Sequence, residues 1–467
     1  MGTVIGVRAG GRTTPRWFRE RPGPPRYRPG HGPAVRHRVR RGNPVTWALG
    51  GVGLAAALLA APTVRPVRAW ILLLPCFVLG LVGDELAGVW LVVVVGATAG
   101  LAAAGGVNGG AGWVGLVLGA GAAGAFARQV VLAHRAAGLV DENLAPLDGR
   151  HPPASRRTLL DRLAPFRLRD RAVHRTADLR YAPGAGRRHL LDVYTPAGGT
   201  RDAPVLLQIH GGAWMTGNKR TQGRLLMNRL ARSGWVCVAI NYRLSPRVHY
   251  PEHLIDCKRA LAWVREHAAE FGGDPARVAV TGGSAGGHLA ALVALTANDP
   301  AFQPGFETVD TSVVACVSMY GAYMLGELFA VTGWGRRFGA WMGRVVAGAD
   351  VRTDRAVYDA ASPFGVIHPG APPFLVCHGT GDNLVSVVQA RGFVLALRDA
   401  AQPETVVYIE LPGAPHAFDV VRSVRTTAAL DGVERFLMSA LGDAAAERPE
   451  AGGAATGPTT TGRTAPS

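Results

Sequence analysis

Two different patterns of apolar residues divide this chain. From residue 45 to about 132, long apolar runs follow one another with few charges. From 173 to 442, short apolar runs alternate with segments of helical periodicity. The first region contains VTWALGGVGLAAALLAAP (45–62), AWILLLPCFVLGLVG (69–83), LAGVWLVVVVGATAGLAAAGG (86–106) and GWVGLVLGAGAAGAFA (112–127).

The apolar runs predict helices that integrate into a lipid bilayer. A helix needs about 20 mostly apolar residues to cross the hydrocarbon core, a length that the third run meets. A cleaved signal peptide would not be followed by further apolar runs of this kind. We therefore expect three or four transmembrane helices within residues 44–132.

The second region predicts an α/β fold with a mostly parallel sheet. Its candidate strands are mostly continuous apolar runs, as strands covered on both faces require. They alternate with helix candidates such as residues 253–272, which is typical of a parallel sheet. The candidate strands are 189–196, 204–212, 236–244, 278–283, 313–321, 374–382 and 405–413. We assign residues 173–442 to one domain, with functional groups at the carboxyl ends of its strands.

Charge and composition define the remaining segments. Residues 1–43 carry eleven arginines and one acidic residue, Glu20, with no apolar periodicity, so we expect a basic disordered N-terminus. The apolar runs that follow account for this charge better than a nucleic-acid partner does, and we expect no such partner. Residues 133–172 are predicted as an arginine-rich linker, and the low-complexity residues 443–467 as a disordered tail.

The number of spans decides the predicted location of the soluble domain. Arginines before the first span and after the last one favour a cytoplasmic position for both sides, which four spans satisfy. Three spans would place the domain outside. The five cysteines show no close-spaced pairing pattern, which fits a reducing compartment. The expectation is a multi-pass membrane protein with a cytoplasmic catalytic domain.

Ser284 is the first candidate for chemistry. The stretch VAVTGGSAGGHLAALVAL reads as strand, tight turn and helix, and residues 282–286 match the pattern G-x-S-x-G. Small residues must flank a serine at such a strained turn, where its hydroxyl is lifted above the sheet. Ser284 is therefore the predicted nucleophile.

A serine hydroxyl needs a general base and an orienting carboxylate. Asp382 follows the apolar run FLVCHGTG, and His416 lies in the loop after the last candidate strand, in the order that such hydrolases use. His378 is the rival base and Asp419 the rival acid. We predict Asp382 as the acid and His416 as the base.

The oxyanion hole is predicted on the segment HGGAW, residues 210–214, directly after a strand and upstream of the nucleophile. Glycines let backbone N–H groups turn toward a tetrahedral intermediate. The predicted donors are Gly211, Gly212 and Ala285, with Ala213 as a possible substitute.

The ordered motifs HGGAWMTGNK, NYRLSP, GGDPARVAVTGGSAGGHLAAL, HGTGDNLV and PHAFD resemble α/β-hydrolase carboxylesterases of the hormone-sensitive-lipase-like group, particularly actinobacterial esterases. The resemblance covers residues 175 to 440 and implies an α/β-hydrolase fold. It also implies that Ser284, Asp382 and His416 form the catalytic triad.

Two departures from the group's motifs concern the substrate. The group has HGGG and GDSAG, whereas this chain has HGGA and GGSAG. Gly283 in place of aspartate, together with Trp214, resembles kynurenine formamidase and related esterases. The bond that is cleaved, ester or amide, stays open.

Substrate specificity is expected to depend on the segment between candidate strand 313–321 and the strand that precedes the acid, 374–382. A helical stripe in residues 331–350 contains Trp334, Phe338, Trp341, Met342 and Val345. With Trp214, three of these (Trp334, Phe338 and Trp341) are candidates for a substrate pocket. The stripe fits ordinary core packing equally well, or a cap helix that touches acyl chains or membrane.

The predicted function is that of a membrane-anchored serine carboxylesterase acting on a small-molecule ester, without metal or cofactor. The alternatives are an arylformamidase or acyltransferase with the same triad, and a ligand receptor built on a hydrolase fold.

Overall fold

The apolar region folds into helices that precede the α/β domain in the chain. The structure is a computed structural model that describes Gly23 and residues 43–65, 72–147, 170–329 and 334–446. The described residues from Asn43 to Ala446 belong to one compact unit. The helices of the apolar region are α1 (Pro44–Val64), α2 (Leu73–Glu85), α3 (Ala87–Leu101, continued by a π-helical turn to Gly106) and α4 (Gly110–Leu144).

Among the described residues, three helices are long and apolar enough to cross a membrane: α1, α3 with its π-turn, and α4. The contact between α1 and α4 depends on small residues. A Cβ on Gly53 would collide with the backbone of Gly115, and one on Gly115 with the backbone of Leu49. Such small-residue contacts let helix backbones approach closely where no water drives them together.

The second region is an eight-stranded sheet within the described residues, in the order β1-β2-β4-β3-β5-β6-β7-β8. β1 and β2 pair antiparallel, as do β2 and β4, and the other neighbours pair in parallel. The strands are β1 (Val173–Arg180), β2 (Leu190–Pro196), β3 (Ala203–Ile209), β4 (Val236–Ile240), β5 (Gly273–Gly283), β6 (Ala315–Met319), β7 (Phe374–Gly379) and β8 (Val406–Leu411).

Helices cover both faces of this sheet, so β4, β6 and β7 are buried along their whole length. This burial explains why the strands read as continuous apolar runs in the sequence. The helices are α5 (Arg224–Arg232), α6 (Glu252–His267), α7 (Ala285–Leu295), α8 (Leu325–Phe329), α9 (Trp334–Ala347), α10 (Arg355–Ala360), α11 (Val387–Ala400) and α12 (Val424–Ala446).

The strand predictions locate seven of these strands, whereas β1 was missed. Its side chains are mostly exposed or half-buried, so it lacks the apolar run that marks the others. Several predicted strands extend too far at their carboxyl ends, where the chain leaves the sheet for functional loops. The prediction 236–244, for instance, ends as a strand at Ile240.

Two predicted boundaries are wrong. The linker expected from residue 133 is helical up to Leu144, because α4 continues past the apolar run. The tail expected from residue 443 begins later, since α12 extends to Ala446. The rest of the predicted tail and linker, apart from residues 145–147 and 170–172, lies outside the described residues, as does almost all of the predicted N-terminal segment.

The continuation of α4 is part of the hydrophobic core under the sheet. Ala136, Val140 and Leu144 are fully buried in one cluster with β8 and α12. A single helix therefore has two environments: an apolar first half packed on α1 and α3, and a second half that contributes to the core of the α/β domain.

Candidate active site

Ser284 occupies a sharp turn between β5 and α7. Its backbone has φ 61° and ψ −125°, a conformation that costs free energy for a residue with a Cβ and that clusters at active sites. The turn ends a central parallel strand and begins a helix, so the side chain lies at the carboxyl edge of the sheet. The structure thus forms the strand–turn–helix geometry that the pattern G-x-S-x-G requires.

His416 connects Ser284 to Asp382 through two hydrogen bonds. The Ser284 hydroxyl lies 2.8 Å from His416 Nε2, and His416 Nδ1 lies 2.7 Å from Asp382 Oδ2. An ionised carboxylate only accepts, so Nδ1 carries the hydrogen and Nε2 is free to accept the serine proton. The three residues predicted as a triad are therefore brought together in the predicted order.

Asp382 is buried and held by backbone as well as by imidazole. Its Oδ1 accepts hydrogen bonds from the N–H groups of Leu384 and Val385, both at 2.8 Å. Burial alone would raise the pKa of Asp382, but His416 and His378 outweigh it and hold this pKa well below its usual range. The carboxylate therefore stays charged at neutral pH and accepts the N–H of His416 Nδ1.

The rival base His378 lies on the far side of the acid. It is wholly buried, and its Nε2 lies 3.2 Å from Asp382 Oδ2 and 3.1 Å from the carbonyl oxygen of Val385. It therefore contacts the carboxylate, whereas His416 makes the bond to Ser284.

Gly211 has a different role from the predicted one. Its N–H donates to Gln222 Oε1 at 2.5 Å, so this predicted oxyanion donor is already engaged. A Cβ on Gly211 would lie 3.1 Å from Ser284 Cβ, so the glycine is needed for close approach to the serine. The next two residues turn sharply, with φ 123° at Gly212 and φ 52° at Ala213. Gln222 was not predicted, because nothing in its sequence context marks it.

Tyr320 explains why Gly283 replaces aspartate. A Cβ at residue 283 would collide with the Tyr320 hydroxyl, and that hydroxyl donates to Asp419. The rival acid Asp419 is therefore engaged by a phenol. The Tyr320 ring also packs edge-on against His416, with centroids 4.9 Å apart. The position of Tyr320 directly after β6 was the signal that could have identified it.

The predicted pocket residues are not equivalent. Trp214 is buried in the core, and its indole N–H donates to His288 Nδ1 at 3.2 Å, so it does not present an open pocket wall. Phe338 and Trp341 lie on α9 with 36% and 52% of their surface exposed and their ring centroids 5.7 Å apart. The helix begins at Trp334, whose side chain is outside the described part of the structure.

An apolar helix also reaches the site, which the sequence did not predict. The Phe77 ring of α2 packs edge-on against His416, with centroids 6.1 Å apart. A crevice separates this helix from the loops that carry the acid and the base. It is lined by Pro62, Cys76, Phe77, Gly80, Asp84, Gly381, Asn383 and Pro415.

The α/β domain is similar in sequence to known esterases. The sequence profile of the family BD-FAE matches residues 191–397, which include Ser284 and Asp382 but end before His416. Esterase LipQ of Mycobacterium tuberculosis is 46% identical over 270 residues, or 57% of this chain and 63% of that protein. The probable carboxylic ester hydrolase LipM of the same organism is 52% identical over 238 residues, or 51% of this chain and 54% of that protein. The chain thus covers less than two thirds of the length of these relatives.

A solved structure shows the same fold at lower sequence identity. Esterase B from Lactobacillus Rhamnosis is 22% identical, covers 69% of this chain and 99% of its own, and superposes with a TM-score of 0.50. Together with the mostly parallel sheet, it shows that the domain that follows the apolar helices has an α/β-hydrolase fold, and in sequence this domain is similar to the two esterases named above.

Proposed function

We propose that this chain is a membrane-anchored serine carboxylesterase. The observation that carries the proposal is the continuous hydrogen-bonded chain from the Ser284 hydroxyl through His416 to Asp382. The esterase names of the relatives at 46% and 52% identity support the same reaction class.

The proposed reaction proceeds through an acyl-enzyme. His416 Nε2 takes the proton of the Ser284 hydroxyl while Oγ attacks the carbonyl carbon of an ester. The imidazolium is stabilised by Asp382 and returns the proton to the leaving alcohol as the tetrahedral intermediate collapses. A water molecule then attacks the acyl-serine with His416 as base, which releases the carboxylic acid and restores the serine hydroxyl.

The negative oxygen of the tetrahedral intermediate requires backbone donors. Ala285 is the first residue of α7, so its N–H is oriented by the helix that begins at the serine. Since Gly211 donates to Gln222, we assign the other donors to Gly212 and Ala213. This assignment uses the substitute that the sequence offered and needs no side chain at either position.

The esterase proposal is tested with p-nitrophenyl esters of increasing chain length and a fluorophosphonate probe. Wild-type protein is expected to hydrolyse the esters and to be labelled at Ser284, whereas Ser284→Ala loses both properties. A Ser284→Ala variant with wild-type esterase activity would refute the proposal. Wild-type protein without labelling would instead favour a binding protein on a hydrolase fold.

An amide substrate is a second outcome of the same assay. Tyr320 fills the place that the aspartate of GDSAG esterases would take, which keeps this site distinct from that group. N-formylkynurenine is therefore assayed beside the esters. A preference for it by kcat/KM would change the proposed substrate from an ester to an arylformamide, with the same three residues.

The membrane part of the proposal is supported by hydrogen bonds that join α1 to its neighbours near both of its ends. At one end, the Thr46 hydroxyl donates to the carbonyl oxygen of Asn108, in the turn between α3 and α4. At the other end, Gln129 Nε2 donates to the carbonyl oxygen of Thr63. About 20 helical residues separate the two levels, or about 30 Å, which is the thickness of the hydrocarbon core.

The three helices that are long enough to cross the membrane are α1, α3 with its π-turn, and α4. With three spans, the N-terminal segment and the hydrolase lie on opposite sides of the membrane, and we propose this arrangement. Helix α2 packs against the loops of Asp382 and His416 and therefore belongs to the hydrolase side. The eleven arginines that precede α1 favour a cytoplasmic position for the other side, which places the hydrolase outside the cytoplasm. The cysteines of the hydrolase are buried thiols that fit either compartment.

Reporter fusions distinguish the two topologies. A fusion at residue 147, just beyond α4, is expected to give an extracytoplasmic signal, and one at residue 43 a cytoplasmic signal. Cytoplasmic signals from both fusions would restore the four-span arrangement with a cytoplasmic hydrolase.

A further inference from the structure

The loop that carries His416 is connected to the apolar helices by a buried polar cluster. We propose that Glu85, at the end of α2, is a positioning residue for His416, so that the apolar helices take part in catalysis as well as in anchoring. The inference rests on the esterase function proposed above.

The centre of the cluster is an ion pair between the two regions. Arg425 on α12 is wholly buried, and its Nη1 donates to Glu85 Oε1 at 2.6 Å. Its Nη2 donates to Gln129 Oε1 on α4 at 3.2 Å. A buried guanidinium needs such partners, because an unpaired charge in the interior is strongly unfavourable. The first turn of α12 is therefore fixed relative to α2 and α4.

Glu85 also holds the chain just downstream of His416. Ser423 precedes α12, and its hydroxyl donates to Glu85 Oε2 while it accepts the N–H of Thr426 at 3.0 Å. The Thr426 hydroxyl in turn lies 2.8 Å from the carbonyl oxygens of both Phe418 and Val421. Each contact restrains the segment that follows His416.

The upstream end of the loop is fixed by the same helices. Gly413 has φ 65°, and a Cβ on it would lie 2.7 Å from Gln129 Oε1 and 3.5 Å from Arg425 Nη2. The backbone of the loop therefore packs directly on the polar cluster. Phe77 of α2 adds an edge contact to the His416 ring itself.

These contacts restrain the histidine loop on both sides of residue 416. His416 must keep two hydrogen bonds, to Ser284 and to Asp382, and a shift of about 1 Å in a catalytic group can lower the rate about a hundredfold. Loss of the Glu85 contacts should therefore lower kcat, while the binding of substrate at Ser284 is left largely as it was.

The experiment uses the full chain in detergent micelles. Glu85→Gln removes the charge of the carboxylate at nearly the same volume. Ser423→Gly removes the hydroxyl contacts to Glu85 and to Thr426 but keeps the ion pair, and glycine is tolerated at the position before a helix. Thr46→Val is the matched control, because it removes a hydrogen bond of the helices at their opposite end.

Three quantities are measured for each variant: kcat and KM for p-nitrophenyl butyrate, the rate of fluorophosphonate labelling of Ser284, and the melting temperature. For Glu85→Gln we expect kcat and the labelling rate to fall about ten- to a hundredfold with KM nearly unchanged. Ser423→Gly should show a smaller loss in the same direction. Thr46→Val should retain wild-type kcat.

Wild-type kcat in folded Ser423→Gly and Glu85→Gln would overturn the inference. If Glu85→Gln does not fold, wild-type kcat in Ser423→Gly alone overturns it. An equal loss in Thr46→Val would also overturn it, since the effect would then be one of general destabilisation. Failure of the esterase proposal is distinguishable, because the wild-type protein itself would then lack activity and labelling.

Discussion

The apolar helices and the α/β-hydrolase domain use the same residue types in opposite ways. Val117 on α4 has 67% of its surface exposed, whereas Val140 on the same helix is 1% exposed and Val205 in β3 is wholly buried. In the first region the apolar side chains face outward and small residues form the contacts; in the second, apolar side chains form the core. Apolar composition alone therefore does not distinguish an outward-facing apolar surface from a core.

The largest effect is expected in the hydrolase, from a change at Asp382, the carboxylate of the proposed triad. Asp382→Asn should lower kcat about 10⁴-fold, because an amide no longer holds His416 in the required tautomer. The matched variant Asp419→Asn keeps an acceptor for Tyr320 and should lose less than about tenfold. Ester hydrolysis by the purified proteins measures both. Equal losses would make Asp419 a candidate for the acid.

Substitutions in the two halves of α4 test directly the difference between buried and outward-facing apolar side chains. Val140→Asp places a charge in the hydrolase core and should lower the free energy of unfolding by about 3–5 kcal/mol. Val117→Asp should leave the melting temperature in detergent unchanged but disfavour insertion by about 3 kcal/mol. Thermal unfolding and membrane extraction measure the two effects. The contrast breaks down if both variants lower the melting temperature alike.

A third test concerns the elbow of the hydrolase. Gly283→Asp should lower kcat about a hundredfold, because the new side chain displaces Tyr320 and, through it, the His416 ring. Adding Tyr320→Ala makes room and should recover part of the activity. If Gly283→Asp alone is fully active, Tyr320 does not exclude aspartate from this position.

A fourth test concerns pH. Burial lowers the pKa of His210 and of His288 to about 4. Since these values lie below about 6.5, the unfolded chain binds more protons than the folded one at acidic pH, so the stabilisation is complete above about pH 6.5 and is lost progressively down to about pH 4. At pH 5 the loss is about 2 kcal/mol per histidine.

Melting temperatures at pH 7.5 and pH 5 measure this effect. The sequences of α1, α2 and α3 contain no histidine and His134 of α4 is exposed, so the loss is assigned to the buried histidines of the hydrolase. His288→Asn should show a smaller difference between the two pH values than the wild-type protein. Equal differences in both proteins would exclude His288 as a contributor.

Much of the hydrolase could be predicted from sequence because its signals are local. Buried parallel strands are continuous apolar runs, and the turn around Ser284 needs small residues at fixed spacing. β1 was missed because an exposed edge strand carries no such run. The engagement of Gly211 by Gln222 was missed because it joins positions whose relation only the folded chain defines.

The apolar region, the α/β class and the three residues proposed as the triad could all be read from the sequence, since each depends on residue type and order along the chain. Only the folded chain shows that α4 contributes to the hydrolase core, that Tyr320 packs against Gly283, and that Glu85 forms an ion pair with Arg425. These contacts join residues up to 340 positions apart. Because no periodicity or short motif encodes such a pairing, only the packing of the folded chain brings these groups together.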